Sequence, residues 1–142
     1  MLENPKLDVK LKLSALWIVL MLLYIYPDIL ILMQPGKMKE ILEGSLDGTR
    51  ITQGLLLGGA IAMAVSSFMV YLSLVLSPNI NRWVNMSLGV AYIGMVVAFL
   101  PGHWAYYLFN SCLEILVSCL IIWHAWKWPK QEIHSPLNPK TN

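Results

Sequence analysis

The sequence predicts an all-α fold, an antiparallel four-helix transmembrane bundle with a short interfacial helix between spans one and two. Three observations lead there. The composition is 57% hydrophobic and only 13% charged, against roughly 25% charged residues in an ordinary soluble domain. Four apolar stretches, over residues 13–33, 51–76, 82–100 and 104–126, each approach the roughly 20 residues that a bilayer core of about 30 Å requires of a helix. The turns between them are short, as an up-down arrangement of neighbouring helices needs. At 142 residues the chain is read as one membrane domain, residues 1–142.

Residues 1–12 are polar, with Lys6, Lys10 and Lys12, and are expected to fray or lie at the headgroups. The first span, residues 13–33, exceeds the 7 to 15 residues of a signal-peptide core, and no Ala-x-Ala site follows it. Pro27 interrupts it and must free a carbonyl in the preceding turn, with Asp28 next to it as one candidate to satisfy a freed backbone group. Pro35-Gly36 ends the span. Lys37 to Glu43 then sets Met38, Ile41 and Leu42 on one face and charges on the others, the pattern of a short helix lying on a membrane surface. Gly44-Ser45 and Asp47-Gly48 turn the chain back.

Span two, residues 51–76, carries Gly54, Gly58, Ala62 and Ser66 at four-residue spacing. Small residues in such a row let helix backbones approach closely where lipid gives no hydrophobic reward for association. Packing within the chain and a homodimer contact are both open readings. Span three begins with Asn81, Arg82 and Asn85 in its first turns, with Gly89 continuing the Asn85 side, and Arg82 there is read as a headgroup anchor. Span four holds Tyr107, Ser111, Glu114 and Ser118 on one side by helical spacing, a strip expected to face protein. Cys112 and Cys119, seven apart on that helix, are too distant to pair and are read as small buried thiols.

Basic residues set the orientation. With both termini in the cytoplasm the inner segments hold Lys6, Lys10, Lys12, Arg82, Lys127, Lys130 and Lys140, while the outer loops hold Lys37, Lys39 and Arg50, the expected bias for an inner-membrane protein. Trp83, Trp123, Trp126 and Trp128 fall at the inner interface and Trp104 at the outer one, as an aromatic belt would place them.

An acidic side chain within a span defaults to a functional hypothesis. Asp28 and Glu114 both fall in the outer half, so they are read as sharing a cavity, with Gln53, His103, Tyr107, Ser111 and Asn110 as polar neighbours and no buried lysine or arginine to neutralise them. Such a site takes protons or a small cationic or lipid-like ligand. The alternative for Glu114 is a hydrogen bond that glues two helices. An intramembrane enzyme using Glu114 and Tyr107 as an acid pair ranks last, because no phosphate loop, nucleophile elbow or metal-ligand spacing is present. No catalytic residue, metal or other cofactor is expected. The net charge of +2, with scattered basic residues, excludes a nucleic-acid surface. The second functional class is a scaffold or accessory subunit associating through the Gly54 to Ser66 row.

Tyr26-Pro27-Asp28-Ile29-Leu30, Pro35-Gly36, Ser73-Leu74-Val75-Leu76 and Asn81-Arg82-Trp83-Val84-Asn85 resemble a family of small bacterial four-span membrane proteins classed only as a domain of unknown function. The resemblance covers nearly the whole chain. It implies the four-span fold and carries no activity, cofactor or partner. A small four-span protein with a buried glutamate is also similar in design to the small multidrug resistance exporters, but their glutamate lies in the first helix and Glu114 in the fourth.

Overall fold

The computed structural model describes residues 7–100 and 104–128. Asp8 starts the first helix, α1 (Val9–Leu30), by accepting the Lys10 amide at 3.2 Å, as an N-cap carboxylate does. That cap places Val9 to Lys12 in the helix, where the sequence suggested a frayed end. A 3₁₀ turn, Ile31–Met33, extends it, and Gly36, at φ +85°, leads into α2 (Lys37–Leu42). Two further long helices, α3 (Gln53–Val75) and α4 (Pro78–Ala98), are joined by a tight turn, and α5 (Ala105–Trp126) closes the described chain.

The chain is not purely helical. Strands β1 (Ser45–Leu46) and β2 (Thr49–Arg50) form a two-stranded antiparallel hairpin. Its turn residues Asp47 and Gly48 both have positive φ, 49° and 74°, as the two-residue turn that matches strand twist demands, and Asp-Gly is the residue pair for it. This miniature ribbon is pinned to α2: Lys37 Nζ donates to Glu40 Oε2 at 2.8 Å and to the Asp47 carboxylate, and the Gly48 amide donates to Glu40 Oε1 at 3.2 Å. The Lys37 bond, followed by the Gly48 amide, holds the Glu40 carboxyl below its ordinary pKa, and the Asp47 and Glu40 bonds raise that of Lys37. A lowered carboxyl pKa contributes stability above the ordinary value that is lost as pH falls through the depressed one. A raised lysine pKa contributes stability below the ordinary value that is lost as pH rises through the raised one. The α2 and hairpin unit is therefore expected to stay closed from mild acid to strong alkali. An NMR titration of the Gly48 amide should show its midpoint below the ordinary glutamate range, and a midpoint at or above that range would contradict the arrangement.

Three segments, Val9–Met33, Gln53–Val75 and Ala105–Trp126, are long and apolar enough to cross a membrane. Helix α4 has 21 residues, about 31 Å at 1.5 Å per residue, but Asn79, Asn81, Arg82 and Asn85 lower its hydropathy. Two of these asparagines are committed inside the protein. Asn81 and Asn85 are both fully buried.

Helix α1 packs between α3 and α5, and α4 packs on α5. Each of these neighbours runs antiparallel to the other. Near the start of α1, Lys10 Nζ donates to the carbonyls of Leu74 and Leu76 at 3.1 and 2.8 Å, and Ser14 Oγ donates to Val70 O at 2.8 Å. Lys10 thus covers the carbonyls that the end of α3 leaves without helical donors. Near the other end of α1, Gln34 Nε2 donates to the Tyr106 hydroxyl at 2.7 Å. Helices α3 and α4 have little close backbone contact and are bridged by Tyr92, whose hydroxyl donates to Ala62 O at 2.5 Å and accepts from Ser66 Oγ at 2.7 Å.

Trp17 sits at the centre, fully buried with Leu13, Leu20, Met69, Ile121 and Ala125 around it. Its ring meets Tyr92 edge-on, centroids 5.5 Å apart, an arrangement aromatic quadrupoles favour. Its Nε1 donates to Asn85 Oδ1 at 2.7 Å. Asn85 Nδ2 donates to Asn81 O and Oδ1 at 2.8 and 2.6 Å, and Asn81 Nδ2 donates to Ser73 O at 2.6 Å. One network of amides thereby ties α1, α3 and α4 together. Beside it, a Cβ at Gly89 would come within 2.7 Å of Ile122 Cγ1, so glycine is what lets α4 approach α5 this closely.

Candidate functional site

The side chains of α5 divide by face. Ser111, Glu114 and Ser118 are buried and Tyr107 is half-buried, so the polar strip faces protein. Cys112 and Cys119 lie on the opposite face and are exposed free thiols, not the buried ones the sequence suggested. The difference follows from helical phase: once Glu114 and its neighbours at three- and four-residue steps turn inward, positions 112 and 119 turn out.

Pro27 supplies the link between α1 and this strip. Lacking an N–H, it leaves Leu23 O without the donor a helix normally provides. Asn110 Nδ2 of α5 donates to that oxygen at 2.8 Å, and it also donates to Glu114 Oε1. The orphaned carbonyl is therefore satisfied by Asn110, not by Asp28. Asp28 is left exposed at the edge of the buried face of α1. Restoring the missing donor should make Asn110 dispensable to the backbone: Pro27→Ala is expected to reduce the destabilisation caused by Asn110→Ala, which otherwise leaves a buried acceptor unpaired at a cost of about 1–3 kcal/mol. Unfolding free energies of the two single variants and the double variant would measure this, and strict additivity would count against it.

Asp28, Tyr107 and Glu114 come together. With Tyr24 and Pro27 of α1, Met95 and Val96 of α4, and Phe99 just past the end of α4, they line one cavity of about 120 Å³. Glu114 is 6% exposed, whereas Asp28 lies at the exposed margin. The Tyr24 hydroxyl, on the same wall, is buried without a hydrogen-bond partner. Among the described residues, no lysine, arginine or histidine lines the space. At about 30 Å³ of liquid per water, the cavity holds roughly four waters, far short of the 300–1,000 Å³ of a site for a drug-sized molecule.

Other expected members lie elsewhere. Gln53 is exposed at the first residue of α3 and does not line the cavity, because α3 packs on α1 while the cavity is enclosed by α1, α4 and α5. Ser111 is 2% exposed but is not a lining residue, and Asn110 acts beside the cavity by holding Glu114. His103 falls outside the described residues. The row in α3 is not used for close packing within the chain over its first members: Gly54 and Gly58 are exposed, Ala62 is half-buried and Ser66 is fully buried. A Cβ at Gly58 would meet nothing within 4 Å. The close helix contact instead uses Gly89.

Tyr24, Trp17, Ser73 and Tyr92 were not singled out from the sequence. The available signal was the series Asn81, Asn85, Gly89 and Tyr92, one face of a helix by three- and four-residue steps, whose amides require partners wherever that face is buried.

The chain matches the family of unknown function DUF6326 over residues 5–135. It belongs to that family. No curated protein and no solved structure matches it. Membership in DUF6326 agrees with the resemblance to a family of unknown function and adds no activity to it. Any function assigned to this DUF6326 chain has to come from its own side chains.

Proposed function

We propose that this DUF6326 chain is a four-span membrane protein of the bacterial inner membrane, both termini cytoplasmic, whose Asp28–Glu114 cavity binds or passes protons or a small cation. The carrying observation is the convergence of two carboxyl side chains from separate helices on one small cavity that, among the described residues, is lined by no cationic side chain. A carboxyl in such a place can exchange a proton for a cation, which is the basis of coupled binding and transport. The volume favours water, a proton or a compact cation over a bulky amphipathic ligand. Helix α4 is taken as the remaining span because Asn81 and Asn85 are buried and paired internally, which removes the chief objection to placing them in lipid.

The test is uptake in proteoliposomes: an imposed proton gradient should drive cation uptake, or cation addition should release protons, in wild type and not in Glu114→Gln. Indifference of uptake to that substitution would remove the proposal.

A second reading, association of two copies through α3, is favoured by the exposure of Gly54 and Gly58 and the open space where a Gly58 Cβ would stand. Here native mass spectrometry should show a dimer that Gly58→Leu converts to monomer. Monomer alone in wild type, or a dimer unaffected by the leucine, would exclude it.

A further inference from the structure

The ends of α4 and α5 carry a second feature, independent of the carboxyl cavity. Along the outer face of α5, Cys119, Ile122, Trp123 and Trp126 line an apolar groove of about 310 Å³, extending roughly 10 Å along the helix axis from the first of these residues to the last. Both indoles of this groove have a cation against them. Lys127 Nζ lies 4.0 Å from the Trp123 ring centroid, and Arg82 Cζ lies 5.9 Å from that of Trp126. The Arg82 Nε is buried and has no hydrogen-bond partner. Among the described residues the only acid at this end of the helices is Asp8, which already accepts the Lys10 amide. An apolar channel with positive charge at one end, and no acid among the described residues left to neutralise it, matches an amphiphile with an anionic head and a hydrocarbon tail.

We propose that this groove holds one anionic phospholipid, its phosphate between Arg82 and Lys127 and one acyl chain along Cys119, Ile122, Trp123 and Trp126. Arginine on an aromatic face keeps its N–H fork free for a phosphate. The lysine adds a point charge, and the two indoles hold the glycerol level of the lipid at the membrane interface. The proposal rests on the chain lying in a bilayer and not on the cation site.

The experiment is native mass spectrometry of the full chain released from detergent containing equimolar dioleoyl phosphatidylglycerol and dioleoyl phosphatidylcholine. At about fivefold per cation near an anionic headgroup, retention of the glycerol lipid should exceed that of the choline lipid by roughly thirtyfold. Arg82→Gln and Lys127→Gln should each reduce the preference about fivefold. Lys127 is exposed, so its variant folds irrespective of the fate of Arg82→Gln. Lys12→Gln, at the same end but not lining the groove, should leave the preference unchanged. Equal loss in Lys12→Gln would show general surface attraction and overturn the site, as would no preference in wild type. Glycerol phosphate without acyl chains should not compete at equal concentration; if it does, the groove is not part of the site.

Discussion

Asn85→Leu is expected to destabilise the folded chain by about 2–4 kcal/mol. The substitution leaves Trp17 Nε1 without its acceptor and Asn81 Oδ1 without its donor, and both groups sit where no surface reaches them. A buried polar group stripped of its partner costs about 1–3 kcal/mol. Hydrogen bonds between membrane helices average nearer 0.6 kcal/mol, because the separated helices find other partners. The upper range applies here because Trp17, Asn81 and Ser73, whose Oγ also donates to Asn85 Oδ1 at 3.5 Å, are all fully buried, so water does not replace the amide. Ser87→Leu, on the exposed side of the same helix, should cost under about 0.5 kcal/mol. Reversible unfolding by a denaturing detergent gives both numbers. Trp17→Phe, which deletes the donor and keeps most of the ring, should cost less in the Asn85→Leu background than in wild type, since the bond it removes is already gone. Equal costs in both backgrounds, or an Asn85→Leu chain as stable as wild type, would mean that the network does not hold the three helices together.

This network also shows how far the residues alone lead. Apolar length was readable because a helix must match a fixed thickness of hydrocarbon, and α1, α3 and α5 meet that requirement through composition alone. The inward phase of Tyr107, Ser111, Glu114 and Ser118 was readable for a related reason, since one polar strip on an apolar helix has only one favourable direction. Asn81 and Asn85 were harder. Their position near a helix start fits an interface equally well, and only the tryptophan sixty-odd positions earlier in the chain decides between the readings. The role of Gly89 was hidden by the same limit. A glycine row suggests contact, but whether Gly58 or Gly89 makes it depends on which helix comes alongside, and α5 comes alongside α4 while the first turns of α3 stay uncovered. Asn110 was readable as a neighbour of Glu114 by its four-residue spacing, but its bond to Leu23 O was not, because that partner is created by a proline in another helix. The Asp-Gly pair was a plain hairpin signal that the surrounding helical pattern concealed.

Glu114→Gln is expected to reduce proton-coupled uptake at least tenfold while leaving the fold intact, and the geometry explains why the two effects separate. Asn110 Nδ2 donates to Glu114 Oε1, and a glutamine side chain presents a carbonyl oxygen of the same reach, so the contact that ties α5 to the Pro27 region of α1 is retained. What the amide cannot do is exchange a proton for a cation. Stability should therefore change by less than about 1 kcal/mol, whereas coupling should vanish. Glu114→Leu makes the contrast sharper, since it loses the acceptor as well and should lower both stability and uptake. Asp28→Asn, at the exposed margin of the cavity, should weaken uptake less, because under the proposed function Asp28 would meet the ligand at entry while the buried Glu114 would hold it inside. Uptake and unfolding measured on the same three preparations distinguish the possibilities. If Glu114→Gln loses stability and uptake in proportion, Glu114 is a helix-to-helix hydrogen bond and nothing more. If it keeps its stability and loses uptake alone, the carboxyl is there for the exchange.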